Sequence, residues 1–351
     1  MPHILLYGAY GYTGELIIRE AVAQGVSLIL AGRDAAKLSA VAATTGFETR
    51  TFALDDPAAL DRGLHGVGVV IHAAGPFART AKPMVDACLR AGVHYTDITG
   101  EVEVFEALAA RDAEAKAAGV MLMPGTGFDV VPSDCLAVHL ARRLPDATRL
   151  GLAFAGLGGG ISHGTATTMV ENLHRGGAVR RGGKLVAVPT GDLTTTVDFG
   201  RGPKPALAIP WGDIATAFRS TGIPNIEVYV PMSRAAIVGA KLGGRLGGLL
   251  GSAPVQRFLK WQVARRPAGP SDAERARGKS LFCGWVVDDD GNTATTRLTT
   301  PEGYTLTART ALAIALRVQD GDAPIGYQTP AMAYGADLIL QFEGVERVDV
   351  G

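Results

Sequence analysis

Cysteine is scarce in this chain. Cys88, Cys135 and Cys283 are the three among 351 residues, odd in number, far apart and each set in an apolar stretch. That spacing suggests neither a disulfide framework nor a Cys-x-x-Cys metal site, and it suits a reducing compartment. An excess of either charge is also missing, with 34 Lys and Arg against 34 Asp and Glu and a formal net charge of zero. Nucleic-acid binders concentrate cations to displace phosphate counterions, so no nucleic acid is expected as partner, and a small or apolar partner fits better. The seven histidines show no His-x-x-x-His or His-Glu-x-x-His spacing, so no metal is expected. The start of the chain lacks a basic region followed by an apolar core and a small-residue cleavage site, from which a cytoplasmic location is expected.

Long apolar spans are lacking as well. Leu150 to Val170 carries no formal charge, yet it holds Gly158-Gly159-Gly160, Ser162, His163 and several threonines. It would make a poor spanning helix and reads as a strand, a glycine turn and the start of a helix. Ala235 to Ser252 is glycine-rich and broken by Lys241 and Arg245. It fits a surface or subunit-contact segment better than a helix lying in a membrane interface. No internal repeat or low-complexity linker is present, and Arg265 to Arg277 is a candidate exposed loop.

What remains is the composition of a compact globular protein, 47% hydrophobic and 19% charged, long enough for two domains. The first is legible from its opening residues. His3-Ile-Leu-Leu-Tyr7 is an apolar run that stops at glycine, as a buried parallel strand does. Gly8-Ala-Tyr10-Gly11-Tyr12-Thr13-Gly14 follows, then a helical pattern from Glu15 closed by Gly25. Glycines between a strand and a helix let the backbone approach a pyrophosphate, whose charge then meets N–H groups at the helix start. The spacing departs from the commoner Gly-x-Gly-x-x-Gly; its place between strand and helix makes it a nucleotide site.

A second strand, Ser27 to Ala31, ends in Gly32-Arg33-Asp34, where an adenosine ribose would lie. Arg33 offers a guanidinium to the 2′-phosphate of NADP, whereas Asp34 directly precedes a helical stretch and can cap it, so NADP is the expected cofactor. Thr51 to Leu54 reads as the third strand. Asp56 and Pro57 then open a helix, which leaves Asp55 near the expected adenine site. Val67 to Ala74 is a buried strand ending at Gly75-Pro76-Phe77, and Ala74 to Phe77 should border the nicotinamide. Strands His94–Thr99 and Val120–Pro124 alternate with helices, which implies a parallel sheet covered on both faces.

Beyond about Leu150 the chain changes to glycine- and threonine-rich turns, a helix around Thr165 to Leu173 and β-leaning runs such as Ile226–Val230. Cys283–Val287, Thr293–Leu298 and Tyr304–Thr307 suggest antiparallel strands, the first two joined by Asp290-Gly291-Asn292, with a helix from about Ala308 to Val318. The expected fold is α/β, a Rossmann-type parallel sheet domain (residues 1–148) plus a second α+β substrate or dimerisation domain (149–303). A C-terminal segment (304–351) is expected to pack back on the first domain.

With these residues in hand, the chain resembles the saccharopine dehydrogenase-like oxidoreductases, in particular the branch of trans-acting enoyl reductases. The resemblance rests on Gly8–Gly14, Ala31-Gly-Arg33, Gly75-Pro-Phe77, Tyr95-Thr-Asp97 with Gly100-Glu101, and Gly127-Phe-Asp-Val-Val-Pro-Ser-Asp134. It extends through Gly164-Thr165, Ser220–Tyr229, Gly326–Pro330 and Ala333-Tyr-Gly335. It implies NADP bound by Gly8, Gly11, Tyr12, Thr13, Gly14 and Arg33, with Gly75-Pro76-Phe77 nearby; Tyr10 within the same loop, and Asp55 and Ala74 at strand ends, complete the expected cofactor set. It also implies hydride transfer to a C=C bond of an acyl substrate or, as alternative, to a C=N bond. His163 departs from the branch, which usually has a small residue there. Enoyl reduction needs a group to protonate the α-carbon or stabilise the enolate oxygen, and Tyr95, Asp97 and His163 are the candidates. A non-catalytic NADPH-binding sensor is the reading from another class. A homodimer is the default for an enzyme of this kind.

Overall fold

The computed structural model describes residues 3–158, 160–172, 176–244, 252–265 and 267–350. The chain divides into two compact units, Met1–Val131 with Tyr304–Ala333, and Pro132–Gly303 with Tyr334–Gly351.

In the first unit, β1 (His3–Tyr7), β2 (Ile29–Gly32), β3 (Thr49–Thr51), β4 (Val67–His72), β5 (His94–Asp97) and β6 (Met121–Met123) alternate with α1 (Tyr12–Ala23), α2 (Ala35–Ala42), α3 (Pro57–Gly63), α4 (Phe77–Ala91), α5 (Val102–Ala109) and α6 (Asp112–Ala118). The strands lie in the order β3-β2-β1-β4-β5-β6, and every neighbouring pair is parallel. The two-residue strand Gly326–Tyr327 pairs in parallel outside β6 and completes the sheet. Strand order reverses between β1 and β4, where ligands enter such a sheet beyond the carboxyl ends of its strands.

Apolar runs form these strands because both sheet faces are covered: Leu5, Ile29, Val70, Tyr95 and Leu122 share one core cluster with Met84 and Val104 of the helices. Local signals set the helix starts. Asp34 accepts the Lys37 N–H at 3.1 Å, and Asp56 accepts that of Ala59 at 3.0 Å, with Pro57 in the first turn. The third strand lies earlier than expected, at Thr49–Thr51 rather than Thr51–Leu54. As an edge strand it is polar and leaves no apolar run to read.

The second unit is a mixed sheet. Its central strand β7 (Arg149–Leu157) is parallel to β12 (Asn225–Pro231) and antiparallel to β13 (Lys279–Val287). The main path runs β10 (Thr194–Asp198), β11 (Pro203–Ala208), β12, β7, β13, β14 (Thr293–Pro301) and β16 (Glu346–Val350). The hairpin of β8 (Gly177–Arg181) and β9 (Lys184–Val188) joins at β12. The β13–β14 hairpin turns through Asp288–Asn292, as the Asp-Gly-Asn signal predicts, with the Asp288 carboxylate accepting the Asn292 N–H at 2.8 Å.

Further expectations differ from the structure. Arg265 to Arg277 is not loop throughout, since Asp272–Arg277 forms a helix capped by Ser271. Tyr304–Thr307 is not a strand but opens the helix Gly303–Gln319, whose buried Leu306, Thr307, Thr310, Ala311 and Ile314 follow helical spacing. The expected boundary at 148 lies at Val131–Pro132 instead. Helix α7 (Val131–Arg143) goes with the second sheet because Leu136 and Leu140 pack against Gly284, and the Arg143 guanidinium donates to Thr295 and Thr296. Finally, only Tyr304–Ala333 of the C-terminal segment returns to the first unit. Tyr334–Gly351 stays with the second because β16 pairs with β14 from Thr295↔Val350 to Thr299↔Glu346.

Candidate active site

The glycine loop between β1 and α1 is shaped by what it cannot hold. Gly8 has φ +92°, and a Cβ there would meet the Ala73 and Ala74 backbone of the β4 end at about 3 Å. A Cβ on Gly14 would lie 2.3 Å from the Gly8 carbonyl oxygen, so α1 can approach β1 this closely only with glycine there. Helix α1 starts at Tyr12 after Gly11, which supplies no side-chain cap. The N–H groups of a first helical turn have no acceptor within the helix and point outward, so they suit a phosphate. Tyr12 packs edge-on against Tyr304 at 5.1 Å, a contact that fixes the ring on the loop's flank.

At the end of β2, Arg33 is exposed and makes no hydrogen bond or ion pair among the described residues. Asp34 is committed to its cap on α2. The ring of Tyr10 lies over Gly32, where a Cβ would come within 2.6 Å of it, and Lys37 Nζ stands 5.6 Å from the ring centroid. Lys37 thus puts a cation over the Tyr10 ring, and Arg33 follows Gly32 in the chain. Asp55 is exposed on the turn before Asp56. Of the predicted cofactor residues, Gly8 to Gly14 and Ala74 converge at the junction of β1 and β4, with Arg33 at the neighbouring strand end.

The other side of the junction is held by Glu101. Its carboxylate accepts the N–H groups of Phe77 and Ala78, each at 2.8 Å, and caps α4 where the sequence offers Pro76. Thr80 Oγ1 donates to the Ala74 carbonyl at 2.7 Å, which pins the Ala74–Phe77 loop from within the helix. Under this loop lies His72, fully buried, with neither ring nitrogen bonded among the described residues. It is ringed by Tyr7, Phe77 and Tyr95, and burial pushes its pKa down to about 3, so the imidazole is neutral.

Tyr95 and Asp97, two of the predicted proton donors, meet inside the sheet. Both are fully buried, and the phenol donates to Asp97 Oδ2 at 2.7 Å. Asp97 Oδ1 accepts the N–H groups of Thr99 and Gly125, each at 2.9 Å, and the Asp97 carbonyl takes both the N–H and the hydroxyl of Thr126. One aspartate thus ties together the loops that leave β5 and β6. Desolvation raises its pKa to about 6 against the opposing pull of these hydrogen bonds. Burial, reinforced by the Asp97 charge, raises that of Tyr95 far above a normal phenol.

These loops present a carboxyl group that the sequence reading missed. Asp129 follows β6, partly buried, and its Oδ2 lies 2.7 Å from where a Gly100 Cβ would be. Gly100 is the residue that makes room for it. Desolvation pushes the Asp129 pKa up to about 7. The Phe128 N–H is held by Thr307 Oγ1 at 3.0 Å and the Thr126 carbonyl by Thr310 at 2.8 Å, so the returning helix Gly303–Gln319 anchors this loop. The signal was present as Gly127-Phe128-Asp129 directly after a parallel strand, a position where loops carry ligand-binding groups.

His163 is not brought to these residues within one unit. It opens α8 (His163–Asn172) in the second, its N–H bonded to the Ala268 carbonyl at 2.9 Å. Next to it, Ser162 has the Gly-x-Ser-x-Gly spacing of a hydrolase nucleophile. Its hydroxyl instead accepts the Thr165 N–H at 3.2 Å, and no non-glycine residue has positive φ among those described, so the strained turn of such a nucleophile is missing. Among the described residues no cluster of His, Cys, Asp or Glu could hold a metal, and no helix is long and apolar enough to cross a membrane.

Residues 4–123 match the family model of the saccharopine dehydrogenase NADP-binding domain. Over these residues the chain is similar to that domain. Curated relatives include a trans-acting enoyl reductase of Mycobacterium leprae, 34% identical over 149 residues (40% of this chain, 36% of the relative). A trans-acting enoyl reductase of Mycobacterium ulcerans is 32% identical over 148 residues (40% and 35%). The matches thus span little more than a third of these relatives' length. Apo saccharopine dehydrogenase (L-Glu forming) from Saccharomyces cerevisiae covers 100% of both chains with a TM-score of 0.67 at 15% identity, a likeness of fold. The residues of the NADP-binding domain fit the dinucleotide. Gly8, Gly11 and Gly14 leave a cradle that a Cβ would fill, and Arg33 is an uncommitted cation where a 2′-phosphate would sit.

Proposed function

We propose that the protein is an NADPH-dependent reductase that saturates a C=C bond conjugated to an acyl carbonyl in a small or lipid-like substrate, with Asp129 as proton donor. The observation that carries this reading is a carboxyl group with its pKa near 7 at the carboxyl ends of β5 and β6, in the unit that holds the NADP-binding domain. The C=C preference is supported by the two mycobacterial relatives, both named trans-acting enoyl reductases.

The cofactor, when bound, supplies hydride. The chain's own groups divide the remaining work. The Gly8–Gly14 backbone and the first turn of α1 hold the pyrophosphate, and Arg33 holds the 2′-phosphate. Asp129, protonated up to about pH 7, gives its proton to the α-carbon or to the enolate oxygen as negative charge develops there. Tyr95 and Asp97 act as positioning residues: the phenol spends its single proton on the carboxylate, and the carboxylate fixes the loops that carry Gly100 and Asp129. His163 is the second candidate donor. We further propose a cytoplasmic homodimer, a setting in which the buried free thiols of Cys88, Cys135 and Cys283 stay reduced.

NADPH oxidation by the purified protein, measured against enoyl thioesters of increasing chain length and against 2-oxo acids mixed with amines, tests the assignment. The enoyl thioesters should consume NADPH, with a rate that falls as pH rises through about 7. Asp129→Asn should lower kcat by about 10²–10⁴-fold and flatten that limb. Turnover of the imine mixtures alone would replace the C=C reading. An unchanged alkaline limb in Asp129→Asn would remove Asp129 as donor, with His163→Ala then the variant to examine. NADPH binding without any turnover would favour a sensor or scaffold.

A further inference from the structure

The second unit carries a stretch whose charge is unlike the rest of the chain. Val228 to Ser271 contains seven Lys and Arg and no Asp or Glu, in a protein whose formal net charge is zero. Two described helices of this stretch expose large apolar side chains. In the helix Ala253–Ala264, Gln256, Leu259 and Val263 face α8: Val263 and Leu259 pack with Ala166 and Val170, and Gln256 Nε2 donates to the Val170 carbonyl. The opposite face presents Phe258 (55% exposed) and Trp261 (52%), their ring centroids 6.0 Å apart. Arg265 stacks over the Trp261 ring at 4.7 Å, and among the described residues Arg257 reaches only the Ala253 carbonyl of its own helix. Helix α10 (Arg234–Gly244) repeats the pattern, with exposed Arg234, Val238 and Leu242 in one stripe at intervals of four.

We propose that this basic, aromatic face docks on an anionic lipid surface. Aromatic rings beside long cationic side chains match the interfacial region of a bilayer, with the rings at headgroup depth and the guanidinium groups on lipid phosphates. The charge argues against a second copy of the chain, because an isologous contact would bring Arg257 and Arg265 of both copies into one patch with no acidic side chain in the stretch to offset them. The face lies on helices, not on a membrane span, so docking is peripheral and salt-dependent. It does not depend on the reductase reading, and cofactor titration of the same variants keeps the two apart.

The test uses the full chain with vesicles of phosphatidylglycerol and, separately, of phosphatidylcholine, read by co-sedimentation. Phosphatidylglycerol vesicles should bind the protein at least about tenfold more strongly at low salt, with added salt weakening the binding. Arg257→Gln and Arg265→Gln should each lower the partition coefficient about fivefold. Phe258→Ser with Trp261→Ser should lower it more than about tenfold while melting temperature and NADPH affinity stay at their original values. Equal partition to the two lipids, or partition unmoved by these variants, overturns the proposal. So does a dimer in sedimentation velocity that binds no vesicles and is lost in the Phe258→Ser/Trp261→Ser chain, which would assign the face to a second copy.

Discussion

Replacing Gly14 by alanine sets two physical effects against each other. Alanine is the better helix former by about 1 kcal/mol, so helix propensity alone predicts a more stable α1. The added Cβ, however, would sit 2.3 Å from the Gly8 carbonyl oxygen and 2.9 Å from that of Ala9, and both obstacles are backbone. Contacts below 3.0 Å essentially never occur, so the start of α1 must retreat from the glycine loop by about 0.7 Å or more, the difference from 2.3 Å. Overpacking of this kind costs about 1–3 kcal/mol, which exceeds the propensity gain. The net expectation is a loss of about 1 kcal/mol, a fall of about 2–4 °C in melting temperature for a unit of this size. The same retreat misaligns the N–H groups proposed to receive the pyrophosphate. Losing even one charge-assisted hydrogen bond weakens NADPH binding by at least about tenfold. Calorimetric titration and thermal melts of Gly14→Ala, beside Gly239→Ala in α10 where a Cβ meets nothing within 4 Å, check both numbers. A Gly14→Ala protein that binds NADPH within twofold of the original and melts higher would refute the close-approach argument.

Removing the guanidinium in Arg33→Ala should weaken NADPH binding about 10- to 150-fold and leave NADH binding unchanged, a difference that parallel titrations would reveal. His72 gives a pH-dependent prediction. Its folded pKa of about 3 lies below the ordinary value of 6.5, so the unfolded chain takes up the proton first; its contribution is complete above pH 6.5 and is lost as pH falls towards 3. Denaturant unfolding should therefore lose about 2 kcal/mol between pH 6.5 and 4.5 through this residue, and His72→Leu should remove that part of the slope. An identical pH dependence in the variant would mean that the imidazole is hydrated or bonded in solution.

The first unit was largely legible in the sequence because its signals are local. Apolar runs bounded by glycine gave β1, β2 and β4, and Asp34 and Asp56 announced α2 and α3 by standing one residue before helical patterns. The edge strand Thr49–Thr51 was misplaced since it is polar, and Tyr304–Thr307 was misread because Tyr-Thr-Leu-Thr alternates like a strand while its burial follows a helix. The glycine loop between β1 and α1 was readable for the same local reason. Asp129 was not: its raised pKa arises from burial against Gly100, a neighbour 29 positions away that only tertiary packing supplies. Tyr95 and Asp97 stood out as proton-bearing side chains on a strand of the parallel sheet, but only the structure shows their hydrogen-bonding capacity turned inward.

The path of the chain through its two units has a consequence for biosynthesis. The first unit receives Gly326–Tyr327 as its outermost strand, and Thr307 and Thr310 anchor the loop that carries Asp129, so residues made late complete the unit begun first. On the ribosome, the nascent N-terminal domain must wait with the margin of β6 unpaired while the whole second sheet is being translated. A message truncated after residue 303 would release a protein with its glycine loop present, its Asp129 loop unanchored and an exposed strand margin open to aggregation.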